Sequence, residues 1–139
     1  MTAPSGNPYE RVRLTAQALG DLDRIQGRSI DALREVFRQL RRLDRAEIAP
    51  TPLQDYAKTG DLSDCGKIIV EVKGGLEYRI VVREGAEHYD IIEVLVVEAR
   101  ESDLAYLLAG LRLGRILDPV RRSDTQRRVE RIRTRIPPR

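Results

Sequence analysis

Three basic side chains, those of Lys67, Arg79 and Arg83, are predicted to share one face of a β-sheet. Residues 67–72 and 78–83 are rich in Val and Ile, and side chains two residues apart lie on the same side of a strand. The opposite face of both strands is apolar and would form the core. Grouped Lys and Arg side chains can neutralise an anion such as phosphate, and a solvated sheet face has the same pattern.

Few other residues offer a recognisable kind of chemistry. The sequence contains no Walker loop, dinucleotide-binding fingerprint, Cys/His cluster or nucleophile elbow, so we predict neither a cofactor nor a metal. Cys65 has no histidine near it in the pattern, and we expect a small buried side chain rather than a nucleophile. His88 is predicted to lie at the tip of a hairpin, without a partner that would fix it for catalysis.

Three strands and two turns form the centre of the predicted fold. The strands span residues 67–72, 78–83 and 91–98, and glycine-containing turns at 73–75 and 85–87 join them. Short turns between β-like segments predict antiparallel pairing.

One strand and two helices precede these three strands. Residues 9–14 alternate polar and apolar and fit a short strand. Thr15 is predicted to cap a first helix that Gly27 ends, and Ser29 to cap a second helix that extends to about Arg45. The apolar stripes of this helical hairpin would cover the core face of the sheet.

The remaining segments are a long connection and two C-terminal helices. Residues 46–65 contain two prolines and no sustained periodicity, which predicts a long connection. Residues 103–115 are predicted to be helical, with Tyr106 beside the buried face, where its hydroxyl can meet solvent or substrate. Pro119 interrupts that pattern, and Ser123 would cap a last, strongly basic helix.

The order of these features resembles the RelE/ParE superfamily of bacterial toxins. The similar features are Lys-Ile in the first long strand, a hairpin, Tyr-Arg-Ile-Val-Val, a Val-rich third strand, and Ala-Arg followed six residues later by Tyr106. The segment DLSDCGKI at residues 61–68 is similar to actinobacterial members on the RelE side. The resemblance covers about residues 10–115 and implies an α+β fold with a four-stranded antiparallel sheet, an N-terminal helical hairpin on one face, and C-terminal helices.

RelE-like proteins cut messenger RNA in the ribosomal A site, so the resemblance implies a metal-independent endoribonuclease that inhibits translation. It implies that Lys67 transfers a proton or contacts phosphate, and that Arg79 neutralises the scissile phosphate. Arg100 would clamp the transition state or stabilise the leaving group, and Tyr106 would stack on a base or transfer a proton. The implied partners are a cognate antitoxin protein, the ribosome and its mRNA.

Three features depart from that family. Ile69 stands where the family has a second lysine, and the hairpin between Lys67 and Arg79 is longer. Acidic residues also crowd the region of the predicted site: Glu71, Glu77, Glu98, Glu101 and Asp103. These departures leave two alternatives open, a catalytically inactive binding protein with a RelE fold and a ParE-like inhibitor of DNA gyrase.

Positive charge is concentrated near the C-terminus. Residues 111–139 contain ten arginines and three acids, a net charge of +7, whereas the whole chain carries +3, so the other 110 residues carry −4. We divide the chain into a disordered leader (1–8), a RelE-like toxin domain (9–116) and a basic helical extension (117–139). The extension could contact RNA, fold back over the sheet or bind an antitoxin helix. The arginines predicted to contact RNA are Arg83, Arg121, Arg122, Arg127 and Arg128.

The apolar segments and the single cysteine bear on location. No apolar run approaches the ~20 residues of a membrane span. A lone cysteine cannot form an internal disulfide, which fits a reducing compartment. We therefore expect a soluble, cytoplasmic protein without membrane association, and the sequence leaves its oligomeric state open.

Overall fold

The sheet predicted from the sequence is present, and it contains five strands of mixed direction. The computed structural model describes residues 8–85 and 91–136, so His88 and the predicted leader, apart from Pro8, lie outside the described residues. The strands are β1 (Val12–Leu14), β2 (Thr51–Pro52), β3 (Asp55–Tyr56), β4 (Gly60–Asp61), β5 (Cys65–Val70), β6 (Tyr78–Glu84) and β7 (Ile92–Ala99). The main sheet has the order β1-β7-β6-β5-β2, and β3 and β4 form a separate hairpin.

The prediction of four antiparallel strands is wrong in two respects. β1 runs parallel to β7, with Val12 opposite Ile92 and Leu14 opposite Val94. Parallel neighbours need a crossover connection, and the long stretch of chain between these two strands supplies it. Thr51–Pro52 adds a fifth strand at the edge beside β5, a position where the missing N–H of proline is tolerated. The three central strands pair antiparallel as predicted.

The described residues form four helices: α1 (Ala16–Arg28), α2 (Ile30–Asp44), α3 (Leu104–Arg112) and α4 (Pro119–Arg135). The predicted caps of the first two are confirmed, because the hydroxyls of Thr15 and Ser29 accept hydrogen bonds from the N–H groups of Ala18 and Ala32. The predicted start of the last helix is wrong. α4 begins at Pro119, and the side chain of Asp118, rather than that of Ser123, caps it.

The core is aliphatic and takes side chains from all four helices. α1 packs against β7 and α2 against β5, so the helical hairpin covers the sheet, and α3 packs against β6 and β7. The basic extension belongs to this core as well. Val129, Ile132 and Ile136 are buried in the same apolar cluster as the sheet residues.

Two buried carboxylates join α1, α3, α4 and the sheet. Asp21 in α1 accepts hydrogen bonds from a backbone N–H of β7 and from both terminal nitrogens of Arg112 in α3, at 2.7 and 2.8 Å. Glu98 in β7 accepts from Arg28 Nη1 at 2.8 Å and from Arg133 Nε at 3.3 Å. Arg133 Nη2 also lies 3.6 Å from Asp21, so one side chain of α4 bridges both carboxylates. Each buried charge therefore has partners, as burial requires.

The β3–β4 hairpin packs directly against the backbone of α3 and of the residues that follow it. A Cβ atom at Gly110 would overlap the carbonyl oxygen of Thr59, and one at Gly60 would overlap that of Arg115. Gly60 also has a φ of 80°, which favours glycine. The long predicted connection is thus a structured element, and it brings Tyr56 next to α3.

Candidate functional site

Four of the side chains selected from the sequence converge on one cleft, which we call the cationic cleft. It has a volume of about 610 Å³, and its walls come from β5, β6, the β7–α3 connection and the first turn of α3. Its lining contains three cations, one aromatic ring and two carboxylates: Lys67, Arg79, Arg100, Tyr106, Glu101 and Asp103.

Arg79 is the most buried cation of the cleft. Its side chain is 10% exposed, and its Nη1 donates hydrogen bonds to Glu77 Oε1 at 2.5 Å and to the carbonyl of Tyr78 at 3.3 Å. Its Nε has no hydrogen-bond partner among the described residues. Burial acts to lower the pKa of Arg79, but hydrogen bonds with Glu77 and Tyr106 outweigh it and leave that pKa raised. The guanidinium is therefore permanently charged.

Arg100 reaches the same carboxylate from the end of β7. Its Nε lies 3.8 Å from Glu77 Oε1, and its side chain is 67% exposed. The hydrogen bond from Arg79 holds the pKa of Glu77 below its ordinary value. One buried and one exposed guanidinium thus approach a single anionic oxygen, an arrangement that also suits two oxygens of a phosphate.

Lys67 and two tyrosines form the other side of the site. The ammonium of Lys67 lies 6.0 Å from the ring centroid of Tyr106, within range of a cation–π interaction. The ring of Tyr56 lies nearly parallel to that of Tyr106, with the centroids 6.3 Å apart and an interplanar angle of 18°. Register explains the position of Lys67, because Lys67 pairs with Val81 and Ile69 with Arg79, so these four side chains share a face of the sheet.

The β7–α3 connection sets the positions of Arg100 and Tyr106. Ser102 and Asp103 have φ values of 45° and 64°, in the left-handed region that residues other than glycine rarely adopt. The N–H of Arg100 donates to the carbonyl of Glu77 at 2.7 Å, which joins this connection to the β5–β6 hairpin. The backbone therefore turns sharply between the two side chains, at some local energetic cost.

The structure does not bring Arg83 to the cationic cleft. It shares a strand with Arg79, but four residues of strand separate them by about 13 Å. Arg83 instead pairs with Glu93 at 3.0 Å and lines a second cleft of about 410 Å³ at the other end of β6.

The arginines of α4 also lie outside the lining of the cationic cleft. Arg121 donates to the carbonyl of Ala57, and Arg122 donates to those of Ile116 and Leu117. Arg127 is exposed and pairs with Asp124, and Arg128 is half-buried. Their predicted contact with RNA remains a prediction.

Two residues of this region were not assigned a role from the sequence. Glu77 was noted only as one of several acids, although it contacts both arginines of the cleft. Tyr56 lies in a segment without periodicity, and the sequence gives no signal that places it beside Tyr106. Its position depends on how the β3–β4 hairpin packs against α3, which is a non-local contact.

Other kinds of site find little support in the described parts of the chain. Cys65 is buried, and burial raises the pKa of its thiol to about 12, so it stays protonated near neutral pH. Residues 8–85 and 91–136 contain no group of three or more His, Cys, Asp or Glu placed to hold a metal ion. No helix within the same ranges is both long enough and apolar enough to cross a membrane.

The cationic cleft can bind a phosphate group and place polar hydrogens around it. Its three cations exceed its two carboxylates by one charge, and Glu77 adds a third carboxylate next to the arginines. In comparisons with known proteins, no protein family, curated protein or solved structure matches the chain significantly.

Proposed function

We propose that this chain is a RelE-like toxin of a type II toxin–antitoxin system, an endoribonuclease that cuts mRNA on the ribosome and so inhibits translation. The observation that carries the proposal is the convergence of Lys67, Arg79, Arg100 and Tyr106 on one cleft. The family resemblance assigns the reaction to these same residues. Because the resemblance rests on the order of residues along the chain, their convergence in space supports the proposal independently.

The proposed reaction is attack of a ribose 2′-hydroxyl on the adjacent phosphorus. The bond from the 2′-oxygen to phosphorus forms as the bond from phosphorus to the 5′-oxygen breaks, and a 2′,3′-cyclic phosphate results. The 2′-hydroxyl loses a proton, the 5′-oxygen gains one, and negative charge accumulates on the non-bridging oxygens. The protein must supply cations for that charge and groups that carry the two protons.

The two guanidiniums suit the stabilisation of that charge. Arg79 is mostly buried and also donates to the carbonyl of Tyr78, so it stays in place when the scissile phosphate replaces Glu77. Arg100 is exposed and can follow the leaving 5′-oxygen as the bond breaks. Both must exchange Glu77 for the phosphate when RNA binds.

Lys67 and Tyr106 are the remaining candidates for proton transfer. Both line the same cleft as Arg79 and Arg100, so both can lie next to a phosphate held there. A lysine and a phenol are weak acid–base groups near neutral pH. Orientation of the RNA by the ribosome would compensate for this weakness, because correct alignment alone accelerates such reactions greatly.

An inactive binding protein of the same fold is the second candidate. The carboxylates of Glu101 and Asp103 in the lining, and Glu77 beside it, favour this alternative because they oppose the approach of RNA. Ile69 is 46% exposed on the same face as Arg79, where the family has a second lysine. The two candidate functions differ in one observable, because only the endoribonuclease cuts mRNA.

Induced expression followed by primer extension on total RNA tests the proposal. We expect arrested translation and new 5′ ends within ribosome-bound messages. Arg79→Ala and Arg100→Ala should each lower cleavage by about 10²–10³-fold, the usual effect of losing one charge-stabilising donor. Arg34→Ala is the control, because Arg34 is an exposed arginine of α2 and lies outside the lining of the cleft.

The other outcomes separate the alternatives. Growth arrest with intact messages and inhibited DNA gyrase would support the ParE-like function. The absence of any growth effect would favour the inactive binding protein. Equal cleavage by the wild type and an Arg79→Ala/Arg100→Ala double variant would refute the assigned site.

A further inference from the structure

The β3–β4 hairpin and the start of α3 enclose a third cleft, which we call the hairpin cleft. It has a volume of about 330 Å³, and its lining includes Tyr56, Lys58, Thr59, Asp103 and Tyr106. Asp103 and Tyr106 also line the cationic cleft, so the two clefts adjoin along these residues. A ligand with two chemically different parts could therefore occupy both.

Two stacked tyrosine rings give the hairpin cleft an aromatic surface on which a planar ligand can stack. Tyr56 and Tyr106 present nearly parallel rings with centroids 6.3 Å apart, and both rings line the cleft. Bases stack on such rings regardless of their identity, because every base has a π-face. At the rim, Lys58 Nζ lies 3.9 Å from Asp103 Oδ2, so a donor and an acceptor stand beside the aromatic walls.

The hairpin is held firmly enough to act as a preformed wall. The backbone contacts of Gly60 and Gly110 press it against α3 and the residues after it. Arg115 Nη1 donates to the carbonyl of Asp61 at 2.6 Å, and Arg121 donates to that of Ala57. A preformed site loses less conformational entropy when its ligand binds.

We propose that the hairpin cleft is a nucleobase subsite, in which Tyr56 and Tyr106 hold the base of the nucleotide whose phosphate occupies the cationic cleft. A nucleotide carries both groups on one ribose, which matches two adjoining clefts, one rich in aromatic surface and one rich in cations. Lys58 and Asp103 then contact the edge of the base and favour some bases over others. The inference rests on the proposed function, and it adds Tyr56 and the hairpin to the RNA contacts.

Binding of mononucleotides, measured by isothermal titration calorimetry, tests the subsite without requiring cleavage. The probes are AMP, GMP, CMP and UMP, and ribose 5-phosphate serves as the probe without a base. We expect at least one nucleotide to bind about 5–150-fold more tightly than ribose 5-phosphate, the range that corresponds to stacking of one base. Arg100→Ala should weaken nucleotides and ribose 5-phosphate by the same factor, because it acts on the phosphate.

Variants of the hairpin identify the residues that bind the base. Tyr56→Ala should remove the advantage of the nucleotide over ribose 5-phosphate, and Tyr56→Phe should keep it. Lys58→Ala changes a side chain that is 60% exposed, so it should leave the fold intact and reduce the differences among the four bases. Thermal melting of each variant checks that it is folded.

The outcomes distinguish this inference from the proposed function. Equal affinity for nucleotides and ribose 5-phosphate, no measurable binding of any nucleotide, or an unchanged advantage in Tyr56→Ala would overturn the subsite, even if the wild type cuts mRNA. A Tyr56-dependent advantage in a protein that does not cut mRNA would support the subsite and count against the proposed function.

Discussion

At the scale of single residues, Glu77 forms ion pairs with both arginines of the cationic cleft. One of its oxygens lies 2.5 Å from Arg79 Nη1 and 3.8 Å from Arg100 Nε. Its pKa lies below the ordinary value because Arg79 donates a hydrogen bond to it, so the carboxylate is charged at neutral pH. A phosphate that binds the two guanidiniums must therefore displace this carboxylate.

The substitution Glu77→Gln should strengthen phosphate binding. It removes the competing charge and keeps the size of the side chain, so we expect the Kd for ribose 5-phosphate to fall about 3–10-fold at low salt. Glu71→Gln is the matched control. Glu71 lies with Glu77 in the connection between β5 and β6, is exposed, and carries the same charge. The difference from wild type should disappear as the pH falls through the lowered pKa of Glu77. Weaker binding in Glu77→Gln would instead mean that Glu77 orients the arginines.

Four residues of the cationic cleft could be selected from the sequence. Arg83 was selected with them, although the structure places it outside that cleft. Alternation along β5 and β6 correctly puts Lys67 and Arg79 on one face. The same alternation includes Arg83, because alternation specifies the face of a strand and not the distance along it. Tyr56 was not predicted to belong to the site for a different reason. Only the tertiary packing of the β3–β4 hairpin brings it next to Tyr106.

At the scale of elements, Asp21 and Glu98 attach α4 to the rest of the molecule. Arg133 reaches both carboxylates from α4, while Arg28 and Arg112 reach them from α1 and α3. Removing one partner of a buried charge costs more than the pair contributes when intact, because the remaining charge stays buried. The attachment of α4 should therefore depend on Arg133.

We expect Arg133→Ala to lower the free energy of unfolding by about 1–3 kcal/mol, the loss of hydrogen bonds to charged groups that keep other partners. Arg131→Ala, two residues earlier on the exposed side of the same helix, should change it by less than about 0.5 kcal/mol. Urea denaturation measures both values. Equal stability of the two variants would contradict a structural role for the buried cluster.

The helices were easier to predict than the short strands. Thr15 and Ser29 precede clear apolar stripes, and local hydrogen bonds to their hydroxyls fix the starts of α1 and α2. α4 was predicted to begin too late because Pro119 was interpreted as an interruption, whereas proline fits the first turn of a helix. β2, β3 and β4 have two residues each, too few for any periodicity to show.

At the scale of the whole molecule, the basic extension is part of the core and also carries exposed positive charge. Val129, Ile132 and Ile136 are buried against the body, so deleting residues 117–139 would remove core contacts together with the charge. Arg127, Arg131 and Arg135 are exposed at intervals of four residues, which places them along one side of α4. Substitution of these three arginines separates the effect of charge from that of packing.

The triple variant Arg127→Gln/Arg131→Gln/Arg135→Gln tests whether α4 contacts RNA. Its matched control is Arg34→Gln/Arg38→Gln/Arg41→Gln, which removes the same charge from exposed positions of α2. Each lysine or arginine on a phosphate releases counterions, so binding to ribosomes should weaken with salt. If all three arginines of α4 contact phosphates, the slope of log K against log salt should decrease in magnitude by about 2–3 in the α4 variant and stay constant in the α2 variant.

Co-sedimentation with ribosomes over a series of salt concentrations provides these slopes, and thermal melting checks that both variants are folded. An equal change in the two variants would mean that total charge, rather than a specific contact of α4, attracts the protein to RNA. An unchanged slope in the α4 variant with increased toxicity would indicate that α4 restrains the protein. Replacing three arginines that contact phosphates must change counterion release, so an unchanged slope would exclude such contacts. If the same α4 variant also lost binding of the antitoxin, the exposed arginines would be assigned to that partner.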